Sequence, residues 1–195
     1  MCVKPLILYL HGFNSSPLSR KAKILEAYLS SRSDRLDYQV PALPISPAKS
    51  VALVEAIIKS RLEQGGVVHL VGSSLGGYYA LHLAERYQLK SVLINPAIYP
   101  YLLLERSLGE NRNFHTGEVW QFKSQYLQEL RALEVLRISH PERFMLMIQT
   151  GDETLDYQEA TDKLRGVRAW LEGGGNHEFF AFERTLPALC AFLDS

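Results

Sequence analysis

Residues 67–87 read VVHLVGSSLGGYYALHLAERY: an apolar run, a turn in which Gly72, Gly76 and Gly77 surround the adjacent Ser73 and Ser74, and a helical pattern from Leu75 to Tyr87. A continuous apolar run of strand length suits a strand covered on both faces, and strands of that kind belong to parallel sheets. Gly72-Ser73-Ser74-Leu75-Gly76 fits G-x-S-x-G, placed between such a strand and a helix. At this kind of elbow the central residue is held in a strained conformation with its hydroxyl over the sheet edge, and the flanking glycines prevent collisions with the neighbouring strand and helix. The frame makes Ser74 the candidate nucleophile. Ser73 takes the variable position, and no second frame is centred on it. The competing use of Ser74 is to cap the helix that follows.

The same alternation extends in both directions. Apolar runs at 6–10 (LILYL), 91–95 (SVLIN) and 144–148 (FMLMI) read as further buried strands, with 37–43 (DYQVPAL) and 167–172 (VRAWLE) as weaker ones. Helical patterns cover Leu18–Ser31, Ser46–Glu63, Leu75–Tyr87 and Glu183–Phe192, with Ser46 as a cap and Pro47 in the first turn. Strand and helix in alternation predict an α/β fold: a mostly parallel, doubly wound sheet with helices on both faces. One stretch, 98–141, lacks a strong strand signal and is rich in aromatic residues. A structureless loop of that length is uncommon, so it is expected to be a helical insertion beside the carboxyl edge of the sheet, where ligands bind. No repeat or linker interrupts the chain, and a single domain over 1–195 is expected.

Composition excludes several classes. Lys plus Arg and Asp plus Glu number 21 each, and no dense basic cluster interleaves with aromatics, so nucleic acid is not an expected partner. No apolar run approaches the roughly 20 residues of a membrane span, and a cytoplasmic location is expected. Cys2 and Cys190 belong to no C-x-x-C pattern and are expected to be reduced thiols. Neither a metal nor an organic cofactor is called for.

A serine hydroxyl needs a base, and the base needs an acid to orient it. In a fold with this elbow the chain order is Ser, Asp or Glu, His. Five of the six histidines lie before any candidate acid, which leaves His177 in the loop GGGNHEFFAFE at 173–183. After the strand at 144–148, Asp152 stands first as the acid, with Asp156 as the alternative, while Asp156 and Glu159 also suit the start of a helix. The oxyanion donors are expected to be the amides of Leu75 and of Phe13 in LHGFNSSP, with Asn14 next in line. His11 is read as a brace for that loop.

Together, LYLHGFNSSP, VGSSLGGYYA, INPAIYPY, TGDETLDYQEA and GGNHEFFAFE resemble the YqiA-like esterase family of the α/β-hydrolase superfamily, from about Leu6 to Phe192. The resemblance implies a minimal α/β-hydrolase fold and a cytoplasmic bacterial hydrolase of carboxylic esters or acyl thioesters. In the wider superfamily the acid loop often reads Gly-x-x-Asp-x-x-Val-Pro-Tyr. Alignment on Tyr157 puts Asp152 at the acid and Asp156 at the proline, with a shorter spacing to Gly151. A small-molecule acyl substrate is expected to meet Asn14, Tyr99, Tyr101 and Trp120, the last three from the insertion, which would act as a small cap. Arg106, Arg112 and Lys123 are candidates to meet an anionic leaving group. A peptidase or lactonase, or a binding protein retaining the fold without catalysis, are the alternatives, and the oligomeric state is not fixed by the sequence.

Overall fold

Period-two alternation divides the buried strands between two cores. In the computed structural model, which describes residues 3–32 and 36–195, the strands are β1 (Leu6–Leu10), β2 (Asp37–Gln39), β3 (Val68–Ser74), β4 (Lys90–Pro96), β7 (Phe144–Gln149) and β8 (Arg168–Glu172). They form one sheet in the order β2-β1-β3-β4-β7-β8, and each pairing is parallel. Leu6, Leu8 and Leu10 of β1, with Leu70, Leu93 and Leu146, point to one core, shared with α2 (Pro47–Glu63) and α3 (Leu75–Tyr87). Ile7 and Tyr9, with Val71, Val92, Met145 and Met147, point to the other, shared with α1 (Arg20–Arg32) and α7 (Leu186–Asp194). Both faces are covered, which is why these strands are apolar throughout. The fold is the doubly wound α/β arrangement read from the sequence.

Differences from the sequence reading sit at edges and in the insertion. The edge strand β2 stops at Gln39 rather than residue 43, two residues before Pro41, whose missing amide cannot join a ladder. The last helix begins at Leu186 after a 3-10 turn over Phe182–Thr185, because Pro187 cannot donate back to Glu183. The 98–141 segment is more than helices: α4 (Pro100–Leu103) and α5 (Ser124–Ala132) flank an antiparallel hairpin of β5 (Gly109–Arg112) and β6 (Val119–Phe122). The hairpin turn uses Gly117 at φ 72°. A further helix, α6 (Tyr157–Lys163), begins at the cap Asp156.

Among the described residues no helix is long and apolar enough to cross a membrane. Cys190 is a buried free thiol, and Cys2 lies outside the described residues.

Candidate active site

The elbow is built by exclusion of side chains. Ser74, the last residue of β3, sits at φ 55° and ψ −122°, a conformation that costs a non-glycine residue about 1–3 kcal/mol unless its surroundings impose it. Here they do. A Cβ on Gly72 would lie 2.3 Å from the Gly76 carbonyl oxygen, and one on Gly76 would lie 2.0 Å from that of Leu10. The β3–β4 register also shifts at this point, so that Ser74 stands opposite Pro96 and accepts from the Ala97 amide at 3.1 Å. The Ser74 side chain makes no capping hydrogen bond to α3.

The loop after β8 returns His177 to the elbow. Its Nε2 lies 3.1 Å from Ser74 Oγ, and its Nδ1 lies 2.8 Å from Asp152 Oδ2. Asp152 has a side chain only 2% exposed, and its Oδ1 accepts from the amides of Thr154 and Leu155 at 2.8 and 2.9 Å. With Nδ1–H donating to Asp152, Nε2 is left to accept from the serine hydroxyl. Of the two candidate acids, Asp152 meets the histidine. Asp156 caps α6, accepting from the Gln158 amide at 2.9 Å. Glu153 accepts from the His177 amide at 3.0 Å, and that bond holds its carboxyl below the usual range.

Two buried polar residues that the sequence reading passed over pin this loop. Asn95, at φ 37° at the end of β4, donates to the carbonyls of Asn176 and His177 at 3.1 and 3.3 Å and accepts from the Gln149 amide at 3.0 Å. Gln149, at the end of β7, accepts from the amides of Asn176 and Phe180 at 3.1 and 2.7 Å and donates to the Phe180 carbonyl at 2.8 Å. The available signal was a polar residue closing an otherwise apolar strand, in INP and MIQT. Lys21 on α1, whose side chain is only 7% exposed, is another buried polar residue that the sequence reading did not single out.

A cleft of about 560 Å³ opens on Ser74 and His177. Phe13, Asn14 and Leu75 line it, and among the described residues the backbone hydrogen bonds of turns and loops engage neither the Phe13 nor the Leu75 amide. The insertion contributes Pro100, Leu103, Leu104, Arg106 and Phe114. Tyr99, Tyr101 and Trp120, expected to touch substrate, do not line this cleft. Tyr101 donates to Glu134 at 2.8 Å beneath the Arg131 guanidinium, and Tyr99 lies under Lys163 in a neighbouring groove. Arg112 and Lys123 also lie off the cleft, whereas Arg106 is on it.

Trp120 instead fastens the hairpin to the loop after β1. Its Nε1 donates to Asn14 Oδ1 at 3.0 Å, and Asn14 Nδ2 donates to Asn111 Oδ1 at 3.3 Å. The Asn14 carbonyl accepts from the Phe114 amide at 2.7 Å, and Asn113 donates to the Ser15 carbonyl at 2.8 Å. Asn14 is held at φ 54°, while the Phe13 ring meets those of Trp120 and Phe122 edge-on at 5.4 Å each. His11 braces the other side of the loop, accepting from the Leu43 amide at 3.2 Å. Burial lowers the pKa of His11, His82 and His69, the last to about 4.

Comparison with known proteins agrees with this architecture. The sequence model of the family described as "Uncharacterised protein family (UPF0227)" matches residues 6–194. A UPF0227 protein of Shewanella woodyi is 26% identical over 189 residues, covering 96% of this chain and 98% of that one. A protein of Mycobacterium ulcerans named 2-isopropylmalate synthase is 31% identical over 159 residues, 80% of this chain, but the match spans only 25% of that protein. Among solved structures, mouse alpha/beta hydrolase domain-containing protein 10 superposes with a TM-score of 0.72 at 19% identity, covering 96% of this chain and 90% of that one. A monoacylglycerol lipase of Paleococcus ferrophilus superposes at 0.71 with 16% identity, covering 97% and 95%. The fold is that of the α/β-hydrolases.

Proposed function

The chain belongs to the UPF0227 family, and from that membership and the site geometry we propose that it is a serine hydrolase of carboxylic esters or acyl thioesters. The observation that carries this reading is the His177 ring, with one nitrogen 2.8 Å from Asp152 and the other 3.1 Å from Ser74. Ser74 attacks the acyl carbonyl as His177 takes its proton, Asp152 fixes the imidazole tautomer and stabilises the cation, and the Phe13 and Leu75 amides receive the oxyanion. His177 then protonates the leaving alcohol or thiol, and water releases the acyl group by the same path. The similar fold of a monoacylglycerol lipase and the resemblance to YqiA-like esterases favour an ester substrate over a peptide. In this reading the chain acts as one domain in the cytoplasm, with the 98–141 segment walling the acyl site.

Hydrolysis of 4-nitrophenyl esters of increasing acyl length, beside acyl-coenzyme A thioesters, tests the reading. Turnover of either class, with covalent labelling by a fluorophosphonate, is the expected result. No turnover and no labelling would mean that the fold serves binding alone.

The hairpin contact supplies a sharper expectation. Trp120→Phe keeps the ring against Phe13 but removes the N–H that holds Asn14. A lost neutral hydrogen bond of about 1 kcal/mol, acting on the loop that carries an oxyanion donor, is expected to lower kcat about fivefold to tenfold with KM little changed. A rise in KM at constant kcat would assign Trp120 to substrate contact instead.

A further inference from the structure

The cleft holds a buried cation that the proposed reaction does not use. Lys21 lies on α1 with a side chain 7% exposed, and it lines the same cleft as Ser74 and His177. An ammonium carries three donors, yet its contacts here are long. The His177 carbonyl is 3.5 Å away and the Glu178 carboxylate 3.6 Å, the latter on a side chain 67% exposed. Burial lowers its pKa, the nearby Arg20 adds to that, and Glu178 and Asp152 oppose it. An ammonium taken out of water without close acceptors costs several kcal/mol, so a fold that keeps one in a reactive cleft leaves it for an acceptor that arrives with the ligand.

Two further cationic side chains line the cleft. Arg106, exposed on the insertion side, lines it and has no ion pair among the described residues. Arg20 lines it as well, but is engaged by Glu183 at 3.1 Å. Among the described residues, Glu178 is the one carboxylate lining the cleft. Its position 3.6 Å from Lys21 disfavours a doubly charged group there and leaves room for a single negative charge.

We propose that Lys21 is the recognition point for a carboxylate carried by the substrate, which makes the preferred substrates esters that bear a free carboxylate elsewhere in the molecule. The inference rests on the hydrolase reading of the same cleft. Carboxylate oxygens would take the ammonium donors that now have only distant acceptors, with Arg106 reinforcing the field at the cleft mouth. Lys21 thereby selects substrate and takes no part in proton transfer.

The test compares mono-4-nitrophenyl esters of glutaric, adipic and suberic acid with 4-nitrophenyl esters of neutral acids of the same chain length, spontaneous hydrolysis subtracted. For at least one length, the wild type is expected to favour the charged ester by about tenfold or more in kcat/KM, the scale of one charge-assisted hydrogen bond. Lys21→Met is expected to collapse that ratio, and Lys21→Arg to retain part of it. Free dicarboxylates should inhibit the wild type competitively, and the Lys21→Met variant far more weakly. Equal loss on both ester series in Lys21→Met would make Lys21 a brace for the His177 loop and overturn the proposal. A wild type without preference or dicarboxylate inhibition would overturn it with no variant needed. Fluorophosphonate labelling separates the two levels: a labelled enzyme indifferent to the carboxylate sinks only this inference, whereas an unlabelled, inactive one sinks the hydrolase reading and this inference with it.

Discussion

Ser74→Ala is expected to lower ester turnover by about four orders of magnitude or more and to abolish fluorophosphonate labelling, while Ser73→Ala stays labelled. The two residues are adjacent, and both line the cleft. They differ in backbone: Ser74 alone takes the positive φ that lifts its Oγ to 3.1 Å from His177 Nε2. Removing the nucleophile leaves only the oxyanion donors and binding, a residue of catalysis about 10³–10⁴-fold over water. Single-turnover kinetics on the two variants provide the measurement. Parity between Ser74→Ala and wild type would remove Ser74 from the chemistry.

Gly76→Ala is expected to cost more than about 4 kcal/mol of stability, a loss reserved for a few mechanisms such as overpacking, and it is expected to leave little folded protein. The added Cβ would sit 2.0 Å from the Leu10 carbonyl oxygen and 2.7 Å from that of His11. Both obstacles are backbone: Leu10 is paired into the sheet centre, and His11 leads directly into the loop after β1 that carries Phe13. Gly173→Ala is the control, since no described atom beyond its own residue and its two chain neighbours lies within 4 Å of its added Cβ, and it should stay within about 0.5 kcal/mol of wild type. Urea midpoints of the two variants decide the matter. A folded Gly76→Ala at wild-type stability would show that α3 can retreat from β1, contrary to a tight elbow.

The sheet was legible because burial on both faces writes itself into sequence as unbroken apolar runs, and the four strongest runs are β1, β3, β4 and β7. The elbow was legible for a related reason, since glycine is compulsory where backbone meets backbone. The hairpin was not. Val119–Phe122 is short, only Phe122 of it is fully buried, and its pairing depends on contact with a loop about a hundred residues earlier. Tyr99, Tyr101 and Trp120 misled for the same reason: aromatic composition near a site says nothing of which way each ring faces. Asp152 and Asp156 could be ranked by position after the strand, but only the fold shows which one the histidine reaches. Lys21, Asn95 and Gln149 were invisible as site residues, because a single polar side chain in a helix or at a strand end has many ordinary uses.

The four hydrogen bonds between the hairpin and the loop after β1 join the insertion to the loop proposed to supply an oxyanion donor. In many enzymes a peripheral segment can be exchanged to retune selectivity while the engine beneath keeps its speed. This architecture gives up that modularity. Asn14 has its side-chain amide spent on Trp120 and Asn111 and its carbonyl on Phe114, so whatever reshapes the hairpin reshapes the proposed cradle for the oxyanion. On the proposed mechanism, a chimaera carrying another relative's 98–141 segment is expected to inherit its donor's rate together with its donor's taste.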